Sequence, residues 1–398
     1  VGTVNTIGTP GPFSTVSSTP YFGRAWKIEV ITSSGVVLTT GSQSFSTEDE
    51  SLKVIFDTYA TTTRAFFYAN ISIYNLNQSI QQGLVDTLTG QPWTGNDVIQ
   101  QANVVTLFAG YQSNFAGVSL PYGMTAQGFQ PIANTSGAAT PTQSASLIFA
   151  GQVFQPLWER MNVTDYKVTL HCLIGLVELS QNFVAFAQQV TAQNNQVQIL
   201  QKIAAQSTNG IKVDSIDDLQ SSQVATTPFP RGRVVWGRPG DYLDTIASSN
   251  YQLFYLGPNG INVRNLEPPS GQTIADFTFG PPWPPNVPFN PQNPSQYTPT
   301  IIGTPQQTQD GVVFRVLMDS RVKLGSTVAL DFSGIKQLPQ YPLTGQLPSI
   351  LSADGTYVVC AIRHVGDTRG DDWYTEITAV NKTFWPAYVA SSPLATGS

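Results

Sequence analysis

The stretch Asp354-Gly-Thr-Tyr-Val-Val-Cys-Ala-Ile-Arg-His-Val-Gly-Asp-Thr-Arg-Gly-Asp-Asp-Trp-Tyr-Thr-Glu-Ile-Thr-Ala-Val380 decides the fold. Tyr357, Val358, Val359 and Ile362 precede a cluster of Gly and Asp, and Trp373, Tyr374, Ile377 and Val380 follow it. β-Branched and aromatic residues on both sides of turn residues make a hairpin. The expected strands are 356–364 and 373–380, with a tight polar loop at 365–372. Upstream, Ile301-Ile-Gly-Thr-Pro305, Gly311-Val-Val-Phe-Arg-Val-Leu317, Arg321-Val-Lys-Leu-Gly325 and Val328-Ala-Leu-Asp-Phe332 supply further strands. With the hairpin they predict a sheet closing on itself. An earlier stretch partly echoes this one. Leu147-Ile-Phe-Ala-Gly-Gln-Val-Phe154 leads into Asp165-Tyr-Lys-Val-Thr-Leu-His-Cys-Leu173, which aligns with Asp372-Trp-Tyr-Thr-Glu-Ile-Thr-Ala-Val380. The echo predicts the same small barrel built twice.

Composition narrows the classes of function. With 398 residues, 41% of them hydrophobic, the chain has material for several packed cores. Charged residues make up 11%, far below the roughly 25% of ordinary globular domains. So uncharged a surface is poorly protected against self-association, which predicts an assembly that covers much of it. A net charge of −6, with 19 scattered basic residues, argues against a nucleic-acid binder, which needs clustered Lys and Arg. DNA that meets this protein is expected to pass without sticking. Cys172 and Cys360 sit in apolar strand patterns and read as buried free thiols rather than a disulfide framework. No segment reaches the roughly 18 apolar residues of a membrane helix.

Read in order, residues 1–19 form an uncharged extended arm rich in Gly, Ser, Thr and Pro. Strands are expected at 25–31, 52–56, 64–74 and 103–111, with Asn77 capping a short helix after the third. The span 112–146 contains no charged residue and reads as an insertion that touches a neighbouring subunit. Phe186, Val190, Val197, Leu200 and Ile203 recur at near-helical spacing and predict a connecting helix over 183–206, whereas 211–229 has no sustained period. A compact unit follows: a strand at Val234-Val-Trp236, a helix over 242–247 capped by Asp241, and a hairpin whose tip is Gly257-Pro-Asn-Gly260. Residues 268–300 hold ten prolines and read as a stiff linker rather than strand or helix.

The search for chemistry comes back empty. Two histidines, His171 and His364, leave little material for a zinc site or an acid–base dyad. His171 adjoins Cys172, but neighbours on a strand point to opposite faces. His364-Val-Gly-Asp-Thr-Arg-Gly-Asp-Asp372 is the densest polar cluster, and it reads as a turn whose Asp side chains bond their own backbone rather than as a cation site. There is no Walker loop, nucleophile elbow or dinucleotide fingerprint. The expectation is a non-enzyme without cofactor, metal or catalytic residues.

Ile302-Gly-Thr-Pro-Gln-Gln-Thr308, Gly311-Val-Val-Phe-Arg-Val-Leu317, Val322-Lys-Leu-Gly325, Gly355-Thr-Tyr-Val-Val359 and His364-Val-Gly-Asp-Thr-Arg-Gly370 with Trp373 carry a resemblance. Ala69-Asn-Ile-Ser-Ile-Tyr-Asn-Leu76, Ala109-Gly-Tyr111 and Ile148-Phe-Ala-Gly151 extend it. In order and spacing, over roughly residues 20–380, the chain resembles the tail or baseplate hub proteins of tailed bacteriophages, particularly Mu-like contractile-tailed phages. The resemblance implies a mainly β, α+β fold with two tail-tube-like β-barrel domains, at 20–180 and 301–385. Between them it places a connecting helix and linker (181–230), a small α/β domain (231–267) and the Pro-rich linker (268–300), with a tail at 386–398. It further implies a homotrimer whose duplicated barrels give a pseudo-sixfold ring in the virion tail. Such a ring adapts a sixfold tail tube to a threefold spike and lets DNA pass through an acidic lumen. The implied partners are the spike, the tube or tube-initiator, baseplate wedge and tape-measure proteins. The alternatives are a receptor- or glycan-binding virion tail protein, suggested by Tyr111, Trp158 and Trp283 in polar surroundings, and a cell-wall hydrolase, which the absent motifs disfavour.

Overall fold

Where apolar and polar residues alternate in the sequence, buried and half-exposed side chains alternate along the backbone, and this period of two builds one large sheet. The computed structural model describes residues 22–31, 37–41, 52–62, 67–76, 104–112, 124–125, 128–129, 147–175, 183–188, 194–206, 212–258, 260–265, 277–279, 301–308, 311–320, 322–330 and 355–382. In chain order the first strands are β1 (Phe22–Ile31), β2 (Val37–Gly41), β3 (Val54–Thr61), β4 (Tyr68–Tyr74) and β5 (Val104–Gln112). The short pair β6 (Met124–Thr125) and β7 (Gly128–Phe129) precedes β8 (Leu147–Arg160), β9 (Tyr166–Leu173) and β10 (Val184–Gln188). Helix α1 (Gln196–Gln206), β11 (Val213–Ser215), α2 (Asp217–Ser221), α3 (Gln223–Thr226) and β12 (Arg233–Gly237) follow. Next come α4 (Pro239–Ser249), β13 (Gln252–Gly257) and β14 (Gly260–Asn265). The last strands are β15 (Phe277–Phe279), β16 (Ile301–Gln307), β17 (Gly311–Leu317), β18 (Thr327–Leu330), β19 (Thr356–Asp367) and β20 (Trp373–Asn381).

The large sheet runs β16-β17-β20-β19-β3-β4-β9-β8-β5-β1-β2, with β18 against β19 and β15 against β18. The same unit occurs in it twice. β3-β4-β9-β8-β5 and β16-β17-β20-β19-β18 each place five strands, numbered by their order in the chain, in the spatial order first, second, fifth, fourth, third. All pairings within both units are antiparallel. The ladder slips at Phe154, between Val153 and Gln155, and at Cys360, between Val359 and Ala361. Superposing these two β-bulges sets Cys172 with Ala379 and Leu170 with Ile377, which is the alignment of 165–173 with 372–380 already visible in the sequence. Both hairpin tips use one device. Asn162 Oδ1 accepts from the amides of Thr164 and Asp165, and Asp367 Oδ1 accepts from the amides of Arg369 and Gly370.

The expected pair of closed barrels is corrected: among the described residues neither unit closes on itself. β19 is long enough to take two neighbours in turn on one side, β18 along its start and β3 from Ala361 to Asp367. β3 thus satisfies its outer hydrogen-bonding edge on the second unit instead of within the first. The hairpin strand runs past its expected end at His364 to Asp367, paired there with β20 on one side and β3 on the other. Gly366 is accommodated there because the Phe56 ring lies over it.

One core underlies both units. Phe56, Ile71, Leu107, Phe149 and Leu170 join Phe314, Tyr357 and Ile377 in it. A second core gathers Val184, Leu200, Ile203, Leu219, Val235, Leu243 and Val263. Here the helix expected over 183–206 is half right. Its first part is β10, which pairs with β12, so a tertiary partner overrides the helical spacing, and α1 begins at Gln196. Asp241 lies in the first turn of α4, not at its cap, since Pro239 starts the helix after Arg238. The unpatterned 211–229 holds β11, α2 and α3, and Ser222 Oγ caps α3 by accepting from the Ala225 amide. The Pro-rich span is interrupted by β15, which runs parallel to β18. The arm at 1–19, the Asn77 cap, most of 112–146 and the tail at 386–398 lie outside the described residues.

Candidate functional site

The residues weighed for chemistry each make contacts within the sheet and its turns. His171 and Cys172 point to opposite faces of β9. His171 Nδ1 donates to Asn70 Oδ1 at 2.6 Å, while Cys172 is buried and burial pushes its thiol far up. His364 is buried beside Thr375, Nδ1 to Oγ1 at 2.9 Å, and burial lowers its pKa to about 4. Asp367 braces its own turn and takes an ion pair from Lys53 at 3.1 Å. Among the described residues no group of three His, Cys, Asp or Glu side chains is placed to hold a metal. A cavity of about 70 Å³ between the large sheet and the β13–β14 hairpin is lined by Tyr59, Phe149, Tyr255, Asn262 and His364, room for a few water molecules.

What the fold does assemble is a polar sheet face. Arg315 on β17 meets Glu376 on β20 at 2.8 Å, and Glu376 faces Arg363 on β19 at 4.0 Å. Arg363 in turn forks onto Asp57 on β3, at 2.8 and 2.6 Å. Asp57 sits opposite Asn70 on β4, and Asn70 opposite His171 on β9. Four charges of alternating sign therefore cross four strands and the seam between the units. Farther along, Lys167 pairs with Glu159 at 2.6 Å. An acidic wall is not what results, because each carboxylate of this row stands against a cation. Sequence reading missed the row since its members lie far apart in the chain. The one local hint was an ionisable residue at an outward position of otherwise apolar strands.

Two of the open strand edges occupy related places in the two units. β16 pairs only with β17, and β8 beyond Phe154 pairs only with β9, among the described residues. That half of β8 exposes Phe154 to 58%, Leu157 to 44% and Trp158 to 38%, an apolar strand edge of the kind folded chains ordinarily cover.

The fold defines a class: a predominantly β, α+β protein that repeats a five-stranded antiparallel unit. No protein-family model matches the sequence, and no curated protein matches it. The chain is similar in structure to a tail protein from Neisseria meningitidis MC58, with a TM-score of 0.46 and 9% identity over 92% of this chain and 98% of that one. It is likewise similar to the 43 kDa tail protein of prophage MuSo2 from Shewanella oneidensis, with a TM-score of 0.42 and 9% identity over 90% and 98% of the two chains. A component of the E. coli type VI secretion system, described as similar to the T4 tail proteins gp27 and gp5, aligns at a TM-score of 0.37 and 8% identity over 83% and 73%.

Proposed function

We propose that the chain is a structural hub of a bacteriophage tail or baseplate. Three copies form a ring with pseudo-sixfold symmetry between the tail tube and the spike. The observation that carries this reading is the repeated unit: one polypeptide supplies two walls of the same strand order and register. Three chains then present six near-equivalent walls to a sixfold neighbour while remaining a threefold object. In this reading 20–180 and 301–385 are the tube-like domains, 181–230 and 231–267 stand between them, and no bond is made or broken. The partners are other copies of the chain, the spike, the tube or tube-initiator proteins, and wedge and tape-measure proteins. The paired charges of the polar face suit a channel wall, since phosphates meet no uncompensated cation and DNA slides past.

Light scattering on the purified chain, with averaged images down the particle axis, tests it. The expected result is three chains and six walls around a channel, with obligate interfaces of roughly 2,000 to 5,000 Å². A chain that stays monomeric even with its spike and tube neighbours present overturns it.

A second reading, a receptor- or glycan-binding tail protein, is favoured by Trp236, 68% exposed with the Phe183 ring edge-on 4.8 Å away. Binding of the isolated protein to a glycan array would support this reading, and silence there would remove it.

A further inference from the structure

The two units differ in the neighbours of their first and fourth strands. In the second, β19 carries β18 along its first half and β3 along its second half. In the first, the equivalent strand β8 carries β5 along Leu147–Gln152, and its second half has no neighbour on that side among the described residues. Similarly, β3 is paired on both edges, whereas its equivalent β16 is paired on one. The open strand and the open edge are thus the counterparts of the two strands that already join within the chain. Along the sheet, β17, β20, β19, β3, β4 and β9 separate them, a path of roughly 33 Å at the usual strand spacing.

We propose that β16 of one copy adds antiparallel to the open half of β8 in the next copy, repeating between chains the β3–β19 joint found within one. The proposal rests on the hub reading and specifies its interface. The contact is head-to-tail, each copy giving one edge and taking one, so it propagates around a ring until the rotation closes. Its register follows from the equivalences. Matching the bulges sets Glu159 with Val365. Gln306 corresponds to Asp57, because Gln306 faces Val313 and Val313 faces Thr378, just as Asp57 faces Asn70 and Asn70 faces His171. Val365 faces Asp57 within the chain, so Gln306 of one copy faces Glu159 of the next. Pro156 and Pro305 each lack an N–H and shorten the ladder, which leaves the covering of Phe154, Leu157 and Trp158 as the larger share of the joint.

The test places Gln306→Cys and Glu159→Cys in the full chain. Facing residues of an antiparallel pair have Cα atoms about 4.5–5.5 Å apart, within disulfide reach, and the native Cys172 and Cys360 are buried. Mild oxidation is expected to give a covalent trimer on a non-reducing gel. Neither single variant should do so, nor Gln306→Cys with Gln155→Cys, which lies four residues out of register. A ring by light scattering that fails to cross-link overturns this joint while leaving the hub reading intact. A disulfide closed within one chain also overturns the joint, and a chain that never leaves the monomeric state overturns both.

Discussion

Arg363 forks onto Asp57 across 306 positions of sequence, with Nε to Oδ1 at 2.8 Å and Nη2 to Oδ2 at 2.6 Å. The pair sits on the seam where the first strand of one unit meets the fourth strand of the other, and the bond to Asp57 raises the pKa of Arg363 further. Both side chains are partly exposed, so solvent screens the attraction, although two-pronged geometry raises its worth above that of a loose pair. Asp57→Asn is expected to lower stability by about 0.5–1 kcal/mol. A double-mutant cycle with Arg363→Met, read by urea unfolding, should return a coupling of similar size. Purely additive losses would mean that the fork contributes nothing.

The same seam depends on a glycine. A Cβ at Gly366 would stand 2.2 Å from Phe56 Cζ, and the Phe56 ring is fully buried, edge-on to Trp373 at 5.4 Å. Gly366→Ala forces that ring aside and is expected to destabilise by about 1–3 kcal/mol, as overpacking does. Phe56→Leu in the same chain should recover part of the loss. Thermal melts of the single and double variants measure it, and an unchanged melting temperature for Gly366→Ala would refute the close contact.

His364 gives the fold an acid limb. Its folded pKa of about 4 lies below the ordinary value near 6.5. Above pH 6.5 the imidazole is neutral in both states and stability does not depend on it. Between pH 6.5 and 4 the unfolded chain binds the proton while the folded chain does not, so stability falls as pH falls. The full loss is about 3 kcal/mol. Urea midpoints from pH 7.5 to 4.5 should drop less steeply in His364→Asn than in the parent, and equal slopes would assign the acid limb to other groups.

The neutral sheet face makes a prediction about DNA. Asp57→Asn with Glu376→Gln leaves Arg315 and Arg363 without their carboxylate partners. The variant is expected to gain an affinity for DNA that weakens steeply between about 50 and 200 mM salt, which fluorescence anisotropy reads. If it binds DNA no better than the parent, this face is not one that DNA reaches.

Much of the strand content was legible because half-buried strands write their period into the chain. Val54, Phe56, Ile71, Ile73, Val168 and Leu170 are inward at alternate positions and are all fully buried. The hairpin tip at Asp367 was legible too, since an Asp that bonds its own backbone does so locally. What failed was whatever depended on a distant partner. β10 has a helical spacing but pairs as a strand with β12, and β3, the first strand of the other unit, lies along 361–367 of β19. The polar row was illegible for the same reason. Arg315, Glu376, Arg363 and Asp57 acquire a shared role only once four strands are in register.

The sequence by itself determined that the chain is mainly β, that 165–173 repeats 372–380, and that it is poor in charge. These follow from residue type and local periodicity, which backbone geometry reads without reference to the rest of the molecule. Only the tertiary structure decided that the units share one open sheet and that their facing charges cancel. It also decided which edges lack a neighbour among the described residues, because pairing between strands depends on register across hundreds of residues, and a period of two constrains the face of a strand but not its neighbour.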